Sequence, residues 1–82
     1  MAKVYVLTTA TGESIDTRTF STREKAQKVM REKYEAEKYS YLSEYGEENV
    51  TYDLSENEGN VQLAGRYVEE HVDFVIAECE IE

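Results

Sequence analysis

The chain has few of the residues that usually indicate a chemical function. It contains no proline or tryptophan, and it has one cysteine, one histidine and four glycines among 82 residues. A single cysteine excludes a disulfide within these residues, and Cys79 with His71 cannot form a Cys/His zinc site. The lack of paired cysteines favours a reducing compartment. Without proline, the glycines at positions 12, 46, 59 and 65 are the main turn signals.

Long apolar runs are also lacking. Near the N-terminus, the continuous apolar stretch covers only residues 4–7. The apolar part of a secretion signal needs about 7–15 residues, and a membrane helix needs about 20. We therefore expect a cytoplasmic protein that does not interact with membranes.

Familiar catalytic and ligand-binding motifs are missing as well. The sequence has no Gly-rich phosphate loop, no HExxH and no calcium loop with EF-hand spacing. His71 lies close to Glu69, Glu70 and Asp73, a grouping found in acid–base and metal sites, although a loop histidine among acids is more typically just solvated. We therefore predict no enzymatic activity, no metal and no cofactor. The alternative is a minor enzyme or metal-binding domain that uses His71 and these acids.

The N-terminal third alternates as a β-hairpin does. Residues 3–9 are β-branched or aromatic, with Val4 and Val6 on one face and Tyr5 and Leu7 on the other. This two-sided pattern is typical of a central strand. Turn-forming residues 10–14 follow, and the more polar residues 15–20 then suit an edge strand paired with the first.

A helix is predicted after the hairpin. Ser21 and Glu24 match a capping box, so the helix should begin at Ser21 or Thr22. Helical spacing predicts one buried stripe, which becomes poorer in apolar residues after about residue 35 and consists of Ala26, Val29, Met30, Tyr34 and Tyr41. Gly46 is a natural stop, and the helix should fray or turn before it.

Three more strands are predicted in the second half. Residues 50–55 alternate, residues 56–60 form a turn, and residues 61–63 resume the pattern until Gly65, where we expect a bulge. The last strand, 72–81, is the most apolar. One of its faces carries Val75, Ala77, Cys79 and Ile81, and the other carries Phe74, Ile76, Glu78 and Glu80, followed by Glu82. We predict that Cys79 is a buried, unreactive core residue.

These elements predict one α+β domain over residues 1–82, with the order β-β-α-β-β-β. A single helix packs on one face of a four- to five-stranded, mainly antiparallel sheet, and the strand order 2-1-5-4-3 puts the two most apolar strands side by side. The other face then lacks a cover. It should carry either Tyr5 and Leu7 or Phe74 and Ile76, and such an apolar patch indicates a protein-binding site or a homodimer. Tyr5 and Phe74 are therefore candidate partner-binding residues.

Charge is divided unevenly along the chain. Residues 1–43 hold eight basic and six acidic side chains, whereas residues 44–82 hold twelve acidic side chains and Arg66 alone, and the whole chain carries a net charge of −9. The basic side chains of the predicted helix are interleaved with Glu24, Glu32, Glu35 and Glu37, which cancel most of their field. We therefore expect no direct binding to nucleic acid.

The acidic half allows a sharper hypothesis. Glu78, Glu80 and Glu82 would lie about 6.7 Å apart along an extended strand at roughly 3.3 Å per residue, a spacing that resembles successive phosphates. Such a stripe could imitate nucleic acid and occupy the basic groove of a DNA- or RNA-binding protein. The simpler interpretation is that these glutamates only keep the strand soluble.

The chain resembles uncharacterised small proteins of bacterial phages and mobile elements. The features that carry the resemblance are the strand at 3–9, the short hairpin, the helix opening at 20–26 and the acidic C-terminal strands. The resemblance covers most of the chain but has no catalytic motif. It implies an accessory protein, and some such proteins inhibit host enzymes. We therefore expect a small, acidic, non-enzymatic protein that binds another protein or itself, with a nucleic-acid-mimic inhibitor as the alternative.

Overall fold

The structure is a computed structural model that describes residues 2–63 and 71–81. The described residues form five strands, one α-helix and one 3-10 turn in the predicted β-β-α-β-β-β order. Their bounds are β1 Ala2–Thr11, β2 Ile15–Phe20, α1 Arg23–Tyr45, the 3-10 turn Glu47–Asn49, β3 Val50–Leu54, β4 Glu58–Leu63 and β5 His71–Ile81. The sheet is antiparallel with the order β2-β1-β5-β4-β3, which confirms the predicted α+β fold and strand order.

The β1–β2 hairpin has a tighter turn than expected. Ala10 lies within the paired region, and the amide of Thr11 donates to the carbonyl of Ser14 at 2.8 Å. The Thr11 hydroxyl accepts from the amides of Glu13 and Ser14 at 3.2 and 3.0 Å. This side chain satisfies the amides of the turn, so β1 extends two residues beyond the predicted end at residue 9.

The helix begins one residue later than the Ser21 capping box predicts. Thr22 is the N-cap, with extended backbone angles, and its hydroxyl accepts from the amide of Lys25 at 3.2 Å. Ser21 instead accepts from the side-chain amine of Lys25 at 3.4 Å. Thr22 stands three residues before Lys25, so its hydroxyl reaches the third amide of the helix without help from Glu24. The capping assignment to Ser21 is therefore wrong.

The predicted stop at Gly46 is confirmed, and α1 remains helical up to it. Gly46 has a φ of 87°, and its amide donates to the carbonyl of Leu42 at 3.0 Å. The Asn49 side chain donates to the carbonyl of Tyr45 at 2.8 Å. These two hydrogen bonds satisfy carbonyls that a helix end leaves open, which explains why the helix does not fray before Gly46.

The β3–β4 turn is also shorter than predicted, because β4 already begins at Glu58. The amide of Ser55 donates to the carbonyl of Glu58 at 2.8 Å and closes the turn. Gly59 lies under the helix, where an added Cβ would come within 3.1 Å of Leu54 and 3.3 Å of Phe74. The strand therefore needs glycine there for close packing. The bulge predicted at Gly65 lies outside the described residues.

The core lies between α1 and one face of the sheet. Of the five helix residues predicted to form the buried stripe, Ala26, Met30 and Tyr34 are buried. Val29 and Tyr41 are only partly buried and pack against this core. Beneath the helix are the largest fully buried residues of the sheet, Phe74 and Leu7, both 1% exposed. The rest of the described core comes from neighbouring strands: Val50, Val61, Leu63, Val72 and Ile76.

Candidate functional site

The sheet has a second face, directed away from α1, which we call the open face. Successive side chains of a strand point to opposite faces, and directly paired residues share a face. The pairing of Leu7 with Ile76 places those two buried residues on the helix side, so their neighbours Val6 and Ala77, also paired, lie on the open face. The apolar residues of the open face in β1, β2 and β5 are Val4, Val6, Ala10, Ile15, Val75, Ala77, Cys79 and Ile81.

This apolar surface is accessible. Val75, Ile81 and Ile15 are 44%, 51% and 73% exposed, and Ala77 is also exposed. Val6 is half-buried between its neighbours. The described residues contain one α-helix, and its contacts with the core occupy the opposite face. The exposed apolar side chains on the two central strands make this face a candidate interaction surface.

The sequence predicted an exposed apolar face but selected the wrong side chains for it. Phe74 is 1% exposed and Tyr5 packs against the core, so neither lies on the open face. Cys79, predicted to be buried, is exposed. The large side chains of Phe74 and Ile76 fill the space beneath the helix better than Ala77 and Cys79 would. The larger side chains on one face of β5 were the sequence signal that could have identified the face that packs against the helix.

The proposed acidic stripe lies on the helix side of β5, near its C-terminal end. Glu78 is surrounded by partners: its carboxylate accepts from the Tyr5 hydroxyl at 3.2 Å and lies 3.7 Å from Lys3 Nζ and 3.5 Å from Arg23 Nη2. Glu80 is exposed and stands opposite Lys3 in the strand register. Glu82 lies outside the described residues. The part of the stripe that the structure describes is therefore largely balanced by basic side chains of the same molecule.

A shallow depression borders the apolar surface on the β4 side. It has a volume of about 300 Å³, and its lining includes Val75 together with the side chains Asp53, Glu58, Asn60 and Asp73. The strand registers place all of these side chains on the open face. The open face is therefore mainly apolar over β1 and the later part of β5, with carboxylates at the start of β5 and along β4 and β3.

His71 and Asp73 come together on this same face, next to the acidic border. The Nδ1 atom of His71 lies 2.9 Å from a carboxylate oxygen of Asp73. The other oxygen of Asp73 accepts a hydrogen bond from the side-chain amide of Asn60. No group of three or more potential metal ligands occurs within residues 2–63 and 71–81, and Glu69 and Glu70 lie outside them. The contacts of Asp73 link β4 to β5 and position its carboxylate.

The far side of the helix and β3 share a cluster of aromatic side chains around Lys38. The Lys38 amine lies 4.6 Å from the centre of the Tyr52 ring and 5.8 Å from that of Tyr34. Burial raises the pKa of the Tyr34 hydroxyl above 10.0, and the neighbouring charge of Glu35 raises it further. This cluster covers the edge of the core on the helix side and does not contribute to the open face.

Comparisons with family models, with curated proteins and with solved structures find no match to this chain. No helix in the part of the chain that the structure describes is long and apolar enough to cross a membrane. The class that the described residues define is therefore structural: an α+β protein with one helix on an antiparallel sheet and an uncovered, partly apolar sheet face.

Proposed function

We propose that this protein is a non-enzymatic binding protein that holds a partner protein on the open face of its sheet. The observation that carries the proposal is the two-sided character of β5. Phe74 and Ile76 are buried beneath the helix, while Val75 and Ile81 on the opposite side of the same strand are 44% and 51% exposed. An accessory protein that acts by binding agrees with the resemblance to small phage and mobile-element proteins.

The charge around the open face suggests the chemistry of the partner. The apolar residues of β1 and β5 lie beside the depression formed in part by Asp53, Glu58 and Asp73. A complementary surface has apolar side chains at its centre and lysine or arginine on one side. Since the chain carries a net charge of −9, a basic partner is also attracted at long range. We therefore propose a partner with an apolar surface flanked by basic residues.

The nucleic-acid-mimic alternative has weaker support. A mimic needs carboxylates that are free to meet a basic groove, whereas Glu78 already contacts Lys3, Arg23 and Tyr5. The two hypotheses also differ in their response to salt. Mimicry requires a steep loss of affinity as salt is added, whereas binding through the apolar face should retain most of its affinity.

The proposal is tested by comparing captured proteins across variants. Proteins from a bacterial lysate are captured on the wild type, on Val75→Glu with Ile81→Glu, and on Tyr39→Glu. Tyr39 is a suitable control because it is 75% exposed on the helix. A partner that uses the open face is retained by wild type and by the Tyr39 variant and is lost from the double variant. Capture that is equal on all three proteins overturns the proposal.

The captured partner is then measured against a second double variant at two salt concentrations. Glu80→Lys with Glu78→Gln removes acidic charge from the helix side of β5 and leaves the open face unchanged. Binding through the open face should keep most of its affinity in this variant and at high salt, with only a slower association because long-range attraction to the basic partner is weaker. Loss of binding in this variant, together with a steep salt dependence, supports the mimic and overturns our proposal.

A further inference from the structure

The edge strand β2 has an unpaired side that faces outward. The sheet order places β2 at one end, where it pairs with β1. The Thr11 amide donates to the Ser14 carbonyl at the start of the hairpin. Hydrogen-bonded and non-hydrogen-bonded pairs alternate along an antiparallel ladder, so the backbone groups of Ile15, Thr17 and Thr19 point away from β1. These are the groups to which another strand would bind.

The side chains of β2 are complementary to a second copy of the same strand. We propose that two copies of this chain pair through β2, antiparallel, with Thr17 opposite Thr17 of the other copy. In that register Asp16 of one copy lies opposite Arg18 of the other, and the reverse pair forms by symmetry. Ile15 lies opposite Thr19 in the same way. Each interface therefore contains two pairs of opposite charges on the helix side, which is favourable in an antiparallel sheet.

The register that pairs these charges also pairs the backbone. With Thr17 on the symmetry axis, the outward groups of Ile15, Thr17 and Thr19 in one copy meet those of Thr19, Thr17 and Ile15 in the other. Three hydrogen-bonded pairs then provide about six backbone hydrogen bonds. The side chains and the backbone thus favour one and the same alignment. The sheet becomes continuous through both copies, with both helices on the same face.

Competing contacts within one copy are weak. Asp16 lies 3.6 Å from Lys33, but the Asp16 side chain is 65% exposed, so this surface ion pair is easily rearranged. Arg18 lies over the ring of Phe20 with its guanidinium carbon 5.3 Å from the ring centre, which orients it along the strand. Every residue from Ile15 to Thr19 is exposed.

The uneven charge of the chain also favours this edge. β2 and β1 belong to the half with a small net positive charge, whereas β3, β4 and β5 belong to the acidic half. Pairing through β2 therefore keeps the acidic strands at the far ends of the combined sheet. The opposite edge offers no such match, because β3 has a single charged residue, Asp53, and pairing about Tyr52 would set it against Thr51. Self-association is thus specific to β2.

The experiment is sedimentation velocity of the wild type and of three charge variants from micromolar to millimolar concentration. Wild type should form a dimer of twice the 9.5 kDa chain mass. Asp16→Lys alone and Arg18→Glu alone should each raise the dimer dissociation constant about tenfold or more, because two cross-strand pairs become repulsive. Glu32→Lys is the control: it makes the same charge change as Asp16→Lys at an exposed helix position and should leave the dimer intact.

Mixing gives the decisive result. Equal amounts of the Asp16→Lys and Arg18→Glu proteins should form a mixed dimer. In it, the introduced lysine of one copy faces the introduced glutamate of the other, and the unchanged Arg18 of the first copy faces the unchanged Asp16 of the second. A mixture that fails to restore the dimer, or a wild type that stays monomeric, overturns the proposal.

A backbone variant tests the strand pairing itself. Thr17→Pro, which removes an outward-pointing amide, should be monomeric while keeping the circular dichroism of the wild type. A Thr17→Pro protein that keeps its fold and still dimerises would place the contact elsewhere and overturn the proposal. Loss of partner capture leaves the β2 pairing untouched, because the residues changed in the capture test, Val75 and Ile81, lie on β5 and not on the β2 edge.

Discussion

The two faces of β5 should differ sharply in their contribution to stability. We predict that Phe74→Ala destabilises the protein by about 3–5 kcal/mol, as expected for a fully buried aromatic ring. Phe74 is 1% exposed, and its ring and Cβ pack against Gly59 as well as against the core. The milder Ile76→Val should cost about 0.5–1.5 kcal/mol on the same face. Val75→Ala should cost less than about 1 kcal/mol, because Val75 is 44% exposed and leaves no closed cavity.

The assay is urea unfolding followed by circular dichroism. With a slope of about 1 kcal/mol per molar urea for a small protein, Ile76→Val should lower the midpoint by about 0.5–1.5 M. The free energy of unfolding of a domain of this size is usually about 4–12 kcal/mol, so Phe74→Ala removes a large part of it. Ile76→Val, which has a smaller expected cost, therefore provides the measurable comparison. A cost for Val75→Ala above about 1 kcal/mol, together with a cost for Ile76→Val below about 0.5 kcal/mol, would refute the assignment of the two faces.

Three further predictions concern single residues. Thr22→Ala should lower the free energy of unfolding in urea by about 1 kcal/mol, because the Lys25 amide loses its acceptor. Ser21→Ala should change it by less than about 0.5 kcal/mol. A larger cost for Ser21→Ala than for Thr22→Ala would show that Ser21 is the cap. Cys79 should react with a thiol reagent in the native protein as completely as in urea, and protection in the native state would place it in a covered interface or in the core. Burial, and to a lesser degree the charge of Glu35, raise the pKa of Tyr34 in the folded protein. Above about pH 10 the unfolded chain therefore loses this proton more readily than the folded protein does, and the free energy of unfolding should fall as the pH rises. Tyr34→Phe should reduce that loss, and an unchanged alkaline unfolding curve would contradict the reasoning.

The sequence predicted the architecture well because most of its signals are local. The spacing of Ala26, Met30 and Tyr34 identified the buried stripe of the helix, and Gly46 identified its end. The apolar character of β1 and β5 was enough to place them side by side in the centre. Each of these features depends on the period of a helix or strand, or on the conformational freedom of one glycine.

The candidate site was harder to predict because it depends on a choice between two similar faces. Alternation shows that Phe74 and Val75 point in opposite directions, but it does not say which of them meets the helix. That choice depends on how well Phe74 and Ile76 fill the volume beneath Met30, a property of the packed structure. The partners of Glu78 were hidden for a similar reason, since Lys3 and Arg23 are distant in sequence and approach it only through the sheet and the start of the helix.

The open face and the β2 edge would reinforce each other if both proposals hold. Pairing through β2 leaves the open faces of both copies uncovered and on the same side, with Ile15 of each copy close to the symmetry axis. A partner that is itself symmetric, or that carries two copies of the recognised segment, would then bind both faces at once and gain affinity through a raised effective concentration. Thr17→Pro would weaken the binding of such a partner while leaving single-site binding unchanged. A fall in affinity for a two-site partner, with no fall for a one-site fragment of it, would connect the two surfaces in one assembly.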